Sequence, residues 1–280
     1  MGLAACDLDR ARTNVTEWLL AEAESHSRPV PDAGADARTI IRHLLTIRPA
    51  DPIPEEIERQ LDVILEADTS ARGVISADAI LASAGPIGSA GGTRLKLWQG
   101  DITRLAVDAI VNAANAELLG CFLPGHACID NAIHSAAGPR LRDDCARLMR
   151  AQGHLEPTGN AKITPAYHLP SRFVLHTVGP IVRRGPATAE HANLLARCYE
   201  ACLSLATEQR TVRSLAFCGI STGVFGYPKD AAAVVAQAAV ASWLERNRGH
   251  FDLIVFNVFG DSDRAAHEAA WNRSFGGATA

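Results

Sequence analysis

The chain has 280 residues, of which 48% are hydrophobic and 21% are charged, and its formal net charge at pH 7 is -4. This composition is typical of a globular protein with enough apolar material for a core. The slightly acidic balance argues against a general nucleic-acid binder, which needs a basic surface, but it allows a small anionic ligand that is bound by backbone amides.

The N-terminus lacks a basic start followed by an apolar run and a small-residue cleavage site, so no signal peptide is predicted. No uninterrupted apolar stretch approaches the ~20 residues that are needed to span a bilayer. We therefore expect a cytoplasmic protein that has no membrane partner. Thiols stay reduced in that compartment, so the seven cysteines are interpreted as core residues or ligands rather than as disulfides.

Residues 1–85 are predicted to form a small helical extension. Apolar residues recur there at helical spacing, and prolines separate the segments that show it. These segments are 10–25, 36–47, 54–68 and 76–83. Residues 83–93 are small and rich in glycine, which favours a linker or a tight crossing of the chain.

Residues 86–280 are predicted to form one α/β domain with a layered, largely parallel or mixed sheet, because segments typical of strands alternate with segments typical of helices. The predicted strands are 94–98, 109–113, 173–178, 214–218 and 253–258. The predicted helices are 129–137, 141–151, 189–208, 229–246 and 263–271. Ligands of such sheets bind at the carboxyl ends of the strands, so the segments that follow strands are the candidates for a site.

Between the second predicted strand and the next helix, Cys121, His126 and Cys128 are spaced C-x4-H-x-C. Two thiolates and one imidazole suit zinc. No fourth cysteine or histidine lies close by, since His134 falls on the predicted helix and Cys145 lies further on. Three protein ligands with one open position are typical of a catalytic rather than a closed structural site. The alternative is a pair of buried core cysteines beside a loop histidine.

Four polar residues lie at the ends of predicted strands or at the start of a predicted helix, where each has a functional and a structural interpretation. Asp130 could orient a water or accept its proton near a metal, or it could cap the helix that begins there. Asn112 and Asn115, in the sequence NAAN, could bond a sugar hydroxyl or close the turn. Asp101, which follows the first strand, could accept an exocyclic amine or cap a turn.

A short turn with the sequence STGVFG joins the fourth predicted strand to the next helix. Such a turn can point successive N–H groups into one concavity, and a diphosphate is the natural ligand for them. The alternative is an ordinary turn, because short glycine-rich turns are common. The residues concerned are Ser221, Thr222, Gly223, Val224, Phe225 and Gly226.

Taken together, these segments closely resemble the macrodomain family. The matching pieces are GDIT, VDAIVNAAN, IDNAIHSAAGPRL, GNAKITPAYHLP, FVLHTVGP and GISTGVFGYP, in that order. Each piece alone is modest, whereas the ordered set is specific, and it runs from residue 94 to the last predicted helix. The resemblance implies a three-layer α/β/α sandwich with a cleft for ADP-ribose.

The resemblance also implies roles for individual residues in that cleft. Asp101 would hold the adenine amino group, with Ile102 beside it. The 221–226 turn would wrap the diphosphate and place Phe225 near the distal ribose, which Asn115 would contact.

The stretch LLGCFLPGHACID departs from the common macrodomain pattern, which has a run of glycines there. This departure resembles the zinc-dependent branch found in microbes, in which Cys121, His126 and Cys128 would bind Zn²⁺. Asp130 matches the aspartate of macrodomains that remove ADP-ribose from proteins. Some members of the branch are encoded beside a sirtuin-like ADP-ribosyltransferase and a lipoyl-carrier protein, which makes that carrier a candidate substrate. The helical extension is also similar to theirs.

These inferences lead to one mechanistic hypothesis, the hydrolysis of the bond between the distal ribose and a protein side chain. Asp130 would act as base or orient water, and Asn115 would position the sugar. Zinc would bind the ribose or a water, and because two thiolates weaken it as a Lewis acid, a positioning role is favoured. The alternatives are a module that binds ADP-ribose without cleaving it, a deacetylase of O-acetyl-ADP-ribose, and a structural zinc site in an interaction protein.

Overall fold

The computed structural model describes residues 5–32, 34–183 and 185–275. A 3-10 turn at Ile102–Arg104 lies between its third and fourth strands. In chain order the helices and strands are α1 (Ala5–Ser25), α2 (Ala37–Ile47), α3 (Glu55–Arg72), β1 (Ile75–Ser76), α4 (Ala77–Ala82), β2 (Ile87–Ala90), β3 (Thr93–Gln99), β4 (Leu105–Ala106), β5 (Ala109–Ala113), α5 (Ile129–Ala137), α6 (Pro139–Gln152), β6 (Ala161–Pro165), β7 (Phe173–Thr177), α7 (Ala189–Glu208), β8 (Ser214–Phe217), α8 (Lys229–Arg246), β9 (Leu253–Val258) and α9 (Asp261–Ser274).

Seven strands form one mixed sheet in the order β2-β3-β9-β8-β5-β7-β6. The five strands from β3 to β7 run parallel to their neighbours, whereas the edge strands β2 and β6 run antiparallel to β3 and β7. Helix α8 packs between α7 and α9, and α5 packs on α6. The α/β layered architecture predicted from the sequence is therefore confirmed.

The central strands are buried on both faces of the sheet, and their sequences are correspondingly apolar. All six residues of β9, with the sequence LIVFNV, are buried, and so are the first four residues of β5. A continuous apolar run is the expected pattern for a parallel strand that has no solvent-facing side. The large core that results extends from α4 to the last helix.

Helices α1, α2 and α3, here called the N-terminal helical unit, have a hydrophobic cluster of their own. Its buried members include Val15, Leu19, Ile41, Leu44, Leu61 and Ile64. The elements from β1 to α9 are here called the sheet domain. Ile80 of α4 is fully buried in the core of this domain, and β1 pairs in parallel with β4. Residues 75–82 therefore pack with the sheet domain.

The linker predicted for residues 83–93 is wrong in its centre, because Ile87–Ala90 forms the edge strand β2. Gly91 and Gly92, with φ angles of 56° and 83°, make the tight turn that folds β2 back on β3. Two glycines between strands favour this kind of hairpin, because both turn positions need a positive φ. Strand β6, the opposite edge, was not predicted either.

Among the residues that the structure describes, no helix is both long enough and apolar enough to cross a lipid bilayer.

Candidate active site

The carboxyl ends of four neighbouring parallel strands bring most of the candidate residues to one edge of the sheet. Asp101 follows β3, the 221–226 turn follows β8, and Asn112 lies near the end of β5. Strand β9 lies between β3 and β8. Because neighbouring strands are about 4.8 Å apart, β3 and β5 are separated by roughly 14 Å. The edge can therefore accommodate an elongated ligand that contacts each segment in turn.

Asp130 lies in the first turn of α5 and is held against the end of β5. It is 6% exposed, and the fully buried Asn112 donates from Nδ2 to its Oδ1 over 2.8 Å. Burial raises the pKa of Asp130 to about 6, although the Asn112 hydrogen bond and the charge of Arg142 oppose that shift. At neutral pH the carboxyl is therefore mostly ionised, with a pKa close enough to 7 for a general base.

His134 does not supply a positive charge to Asp130, although its Nε2 lies 3.5 Å from Asp130 Oδ1. Burial, with a contribution from the neighbouring His176, holds the pKa of His134 well below its ordinary value. The ring is therefore neutral at physiological pH, and the contact is not an ion pair. Both of its nitrogens are buried and have no hydrogen-bond partner within the described ranges.

A buried polar layer supports Asn112 from below. The Asn112 Nδ2 lies 3.2 Å from His176 Nδ1, and His176 Nε2 lies 3.0 Å from Thr164 Oγ1. Burial lowers the pKa of His176 to about 3 and raises that of Cys145, whose Sγ is 3.7 Å from His176 Nε2, to about 12. These neutral groups orient the Asn112 amide. The sequence analysis did not single out His176, whose signal is a histidine inside the apolar strand FVLHT.

Residues 119–128, here called the metal loop, bring the three predicted zinc ligands together. The donor atoms of Cys121, His126 and Cys128 all lie within 4.8 Å of one another, and each residue is half-buried. The Cys121 Sγ is 3.5 Å from His126 Nδ1. Ligands at about 2.3 and 2.0 Å from one tetrahedral zinc ion lie about 3.5 Å apart, so the spacing fits a single ion.

The chemistry of this donor set also fits zinc. Burial, more than the nearby Cys121, raises the pKa of Cys128 to about 11, so the free thiol holds its proton at neutral pH. A divalent ion favours the thiolate, and its binding releases that proton. The Cys128 Sγ already accepts from the backbone N–H of Asn131 over 3.4 Å, at the start of α5.

The Asn115 side chain closes the turn before the metal loop. Its Nδ2 donates to the Gly120 carbonyl over 3.1 Å, and its Oδ1 accepts from the Glu117 N–H over 3.0 Å. These bonds match the structural interpretation of NAAN. The half-buried Asn115 still lies between the end of β5 and the metal loop, and its contact with a ribose stays a prediction.

The 221–226 turn presents free backbone donors at the end of β8. Among the described residues, the N–H groups of 222–225 have no hydrogen-bond acceptor. Ser221 adopts a φ of 65°, and its buried Oγ has no partner within the described ranges. At Gly226, φ is 70° and a Cβ would lie 2.7 Å from the Val182 carbonyl oxygen, so only glycine fits. Free N–H groups in one turn form an anion site.

The outer part of this turn faces solvent, whereas Phe225 faces the neighbouring loop. Val224 is 75% exposed, and Gly223 and Gly226 are exposed as well. Phe225 packs against a small cluster that includes Leu118 and Cys145. The turn is therefore in contact with the segment that leads to the metal loop. Thr222 is half-buried at the start of the turn.

At the β3 end of the edge, Asp101 accepts hydrogen bonds on Oδ1 from the N–H and the hydroxyl of Thr103, at 2.9 and 2.7 Å. Its Oδ2 has no partner among the described residues. The Ile102 side chain is 2% exposed and packs in the sheet core, so only its backbone can contact a ligand.

Phe259 lies beside Asp101 and was missed by the sequence analysis. It follows β9 directly and is 77% exposed. The Gly100 N–H donates to the Val258 carbonyl over 2.9 Å, which places Phe259 next to the segment that precedes Asp101. An exposed aromatic ring on this segment offers a stacking surface, and the free Asp101 oxygen offers a hydrogen-bond acceptor. A phenylalanine between a buried strand and Gly-Asp was the available signal.

A cavity of about 210 Å³ lies between the N-terminal helical unit and the Asp101 end of the site. Its lining includes Arg38 and Arg42 of α2, Arg72 of α3 and Asp101. The Arg38 guanidinium pairs with Asp68 over 3.3 Å. The N-terminal helical unit therefore borders the end of the edge at which Asp101 lies.

Comparison with known proteins shows that residues 111–236 match the model of the Macro domain. The chain is 45% identical over 257 residues to a "Protein-ADP-ribose hydrolase" of Treponema medium, covering 91% of this chain and 96% of that protein. It is 43% identical to a protein of the same name from Staphylococcus aureus, covering 87% of this chain and 88% of that one.

Two solved structures share the fold of the sheet domain. The Oceanobacillus iheyensis macrodomain with ADP is 35% identical at a TM-score of 0.61, covering 68% of this chain and 96% of its own. The Trypanosoma brucei macrodomain in complex with ADP-ribose is 31% identical at a TM-score of 0.61, covering 81% of this chain and 94% of its own.

Proposed function

The chain belongs to the macrodomain family of protein-ADP-ribose hydrolases, and on that premise we propose that it removes mono-ADP-ribose from modified proteins with the help of a bound zinc ion. One observation carries the proposal. The buried Asp130 carboxylate, held by Asn112, lies directly after the convergent donors Cys121, His126 and Cys128. A candidate base and a candidate metal-ligand set therefore adjoin at the edge of the sheet where the 221–226 turn and Asp101 also lie.

Binding and orientation come from the rest of the edge. The free N–H groups of the 221–226 turn hold the diphosphate, and the Ser221 hydroxyl finds its missing partner there. The free Asp101 oxygen accepts a hydrogen bond from the adenine amino group, and Phe259 stacks on the base. These contacts fix the nucleotide, so that the distal ribose lies at the metal loop.

Hydrolysis adds water across the bond between the anomeric carbon of the distal ribose and the modified side chain. Asp130 accepts a proton from that water as the water oxygen bonds to the anomeric carbon. The modified side chain leaves with the electron pair of the broken bond and takes up that proton from Asp130. Cys121, His126 and Cys128 would hold the zinc ion, which would supply a Lewis acid beside the distal ribose. Two thiolate ligands weaken that acidity, so we assign the metal mainly to orienting the ribose.

The test is to incubate a mono-ADP-ribosylated protein with the wild type and with Cys121→Ala, while metal content is measured in both. A modified lipoyl-carrier protein is the first substrate to test, because some members of the similar zinc-dependent branch are encoded beside such a protein. We expect zinc and ADP-ribose release in the wild type and the loss of both in Cys121→Ala. Cys202→Ala, a buried cysteine of α7, is the matched control and keeps both.

Two results would overturn the proposal. A wild-type protein that is free of metal and releases ADP-ribose at full rate would remove zinc from the reaction. Tight binding of ADP-ribose without any release from the modified protein would make the chain a module that only binds the nucleotide.

A further inference from the structure

Arg142, on α6, is a buried arginine whose hydrogen bonds the proposed reaction does not explain. It is 6% exposed, and its Nε donates to the Leu119 carbonyl over 2.7 Å. Leu119 opens the metal loop, two residues before Cys121. On the other side, Nη1 donates to the Leu45 carbonyl over 2.8 Å and also to the Arg48 carbonyl, at the end of α2. One guanidinium therefore joins the N-terminal helical unit to the metal loop.

The same guanidinium contacts the metal loop a second time. Its central carbon lies 4.5 Å from the centre of the Phe122 ring, the residue after Cys121. A cation over an aromatic ring at this distance is attracted by the ring's negative face. Arg142 therefore holds the chain on both sides of Cys121, by a hydrogen bond at Leu119 and by stacking at Phe122.

A buried arginine in this position stays charged. Burial lowers the pKa of Arg142 to about 10, and nearby Asp130 opposes that shift. Three backbone carbonyls accept hydrogen bonds from its N–H groups. These hydrogen bonds offset the free-energy cost of removing the charge from water. A shorter side chain could not reach all three carbonyls at once.

We propose that Arg142 is a positioning residue for the metal loop, and that through it the docking of helix α2 sets the distance of Cys121 from His126 and Cys128. The inference rests on the proposed zinc site. The physical reason is that a short segment without regular structure must hold its ligands to within about 0.5 Å, which requires support from outside the ligand set.

The N-terminal helical unit then acts as part of the scaffold of the metal site rather than as an appendage. The last carbonyls of α2 anchor the guanidinium, so a shift of α2 moves the support of Cys121. A second arginine of the same helix, Arg140, also reaches the N-terminal helical unit, where it pairs with Asp62 and Glu58 of α3. Within the described part of the chain it makes no hydrogen bond or ion pair with the metal loop. Arg140 is therefore the matched control.

The experiment compares zinc affinity in Arg142→Gln, Arg142→Lys and Arg140→Gln by competition with a chromogenic chelator. We expect zinc to bind about 10- to 100-fold more weakly in Arg142→Gln, which is the usual effect of losing a residue that supports metal ligands. Lysine keeps the charge but cannot reach both sides at once, so Arg142→Lys should fall between. Arg140→Gln should keep the wild-type affinity. An Arg142→Gln variant that folds and binds zinc as the wild type does would overturn the inference.

A second measurement needs no metal. Amide hydrogen exchange of residues 119–128 in the metal-free protein should be faster in Arg142→Gln and unchanged in Arg140→Gln, and equal exchange in all three proteins would overturn the inference. If the wild type binds no zinc, the proposed function fails while this contrast still decides the role of Arg142. If Arg142→Gln does not fold, Phe122→Leu removes only the stacking, and zinc affinity and exchange that match the wild type would count against the inference.

Discussion

Asp130 combines burial with one strong hydrogen bond, and the balance of the two sets its chemistry. Burial alone would favour the protonated acid, whereas the Asn112 amide favours the carboxylate. The outcome is a base that is ionised at neutral pH and can still accept a proton. A fully hydrated aspartate would be a weaker base by about two pKa units.

At this scale we predict that Asp130→Asn abolishes most of the turnover and leaves ligand binding intact. Asparagine has the same volume and can still accept the Asn112 hydrogen bond, but it cannot take a proton. Loss of a general base costs typically 10²- to 10⁴-fold in rate, so we expect at least a 100-fold lower kcat. The affinity for ADP-ribose, measured by calorimetry, should stay within about threefold. Full turnover by Asp130→Asn would exclude the carboxylate as the base.

Helices α8 and α9 bury two polar side chains, Gln237 and His267, where they pack together. The fully buried Gln237 donates from Nε2 to the His267 carbonyl over 2.9 Å. The His267 ring lies 5.8 Å from Phe256 of β9, between the helices and the sheet. Burial lowers the pKa of His267 to about 4, although nearby Asp263 opposes the shift. The ring is therefore neutral in the folded protein.

Because His267 is held neutral between α8 and α9, we predict that the free energy of unfolding falls in acid. The unfolded chain takes up a proton at His267 below about pH 6.5, whereas the folded chain does so only near pH 4, so stability falls as the pH drops between these values. The loss is about 1 kcal/mol per pH unit. Urea unfolding at pH 7.5 and pH 5 should show a smaller loss for His267→Gln than for the wild type. Equal losses would show that His267 is not held neutral.

At the scale of the whole molecule, an ion pair between a buried arginine and a partly buried glutamate organises the N-terminal helical unit. Arg48, 2% exposed at the end of α2, donates from Nε to both carboxylate oxygens of Glu22 on α1, at 3.1 and 3.0 Å. Its other nitrogens donate to the carbonyls of Asp51 and Pro52. The Arg48 carbonyl in turn accepts from Arg142, so the pair continues into the sheet domain.

We predict that Glu22→Gln lowers the free energy of local unfolding of the N-terminal helical unit more than that of the sheet domain. The change leaves the buried Arg48 without its counter-charge, and breaking a buried pair on one side typically costs about 3–5 kcal/mol. Hydrogen exchange should rise in α1–α3 and much less in β5 and β9. Glu24→Gln, an exposed position on the same helix, is the control and should change neither. A uniform rise over the whole chain would show that the two parts unfold as one.

Local patterns in the sequence were sufficient for the main elements and for the donor set. The apolar run of β9 and the helical spacing in α2 identify these elements without knowledge of their neighbours. Cys121, His126 and Cys128 span eight residues, so a single loop can bring them together wherever it lies in the fold. The edge strand β2 was missed because it is short and contains small residues, and its pairing partner β3 defines it as a strand.

The sequence alone thus determined the layered α/β architecture, the family resemblance and the candidate metal ligands, because each is carried by neighbouring residues. The tertiary structure decided which distant residues meet. The order of strands places Phe259 beside Asp101, the pairing of β5 with β7 places His176 under Asn112, and the docking of α2 places its carbonyls on Arg142. Such contacts depend on the free energy of packing the whole chain, which no short window of sequence contains.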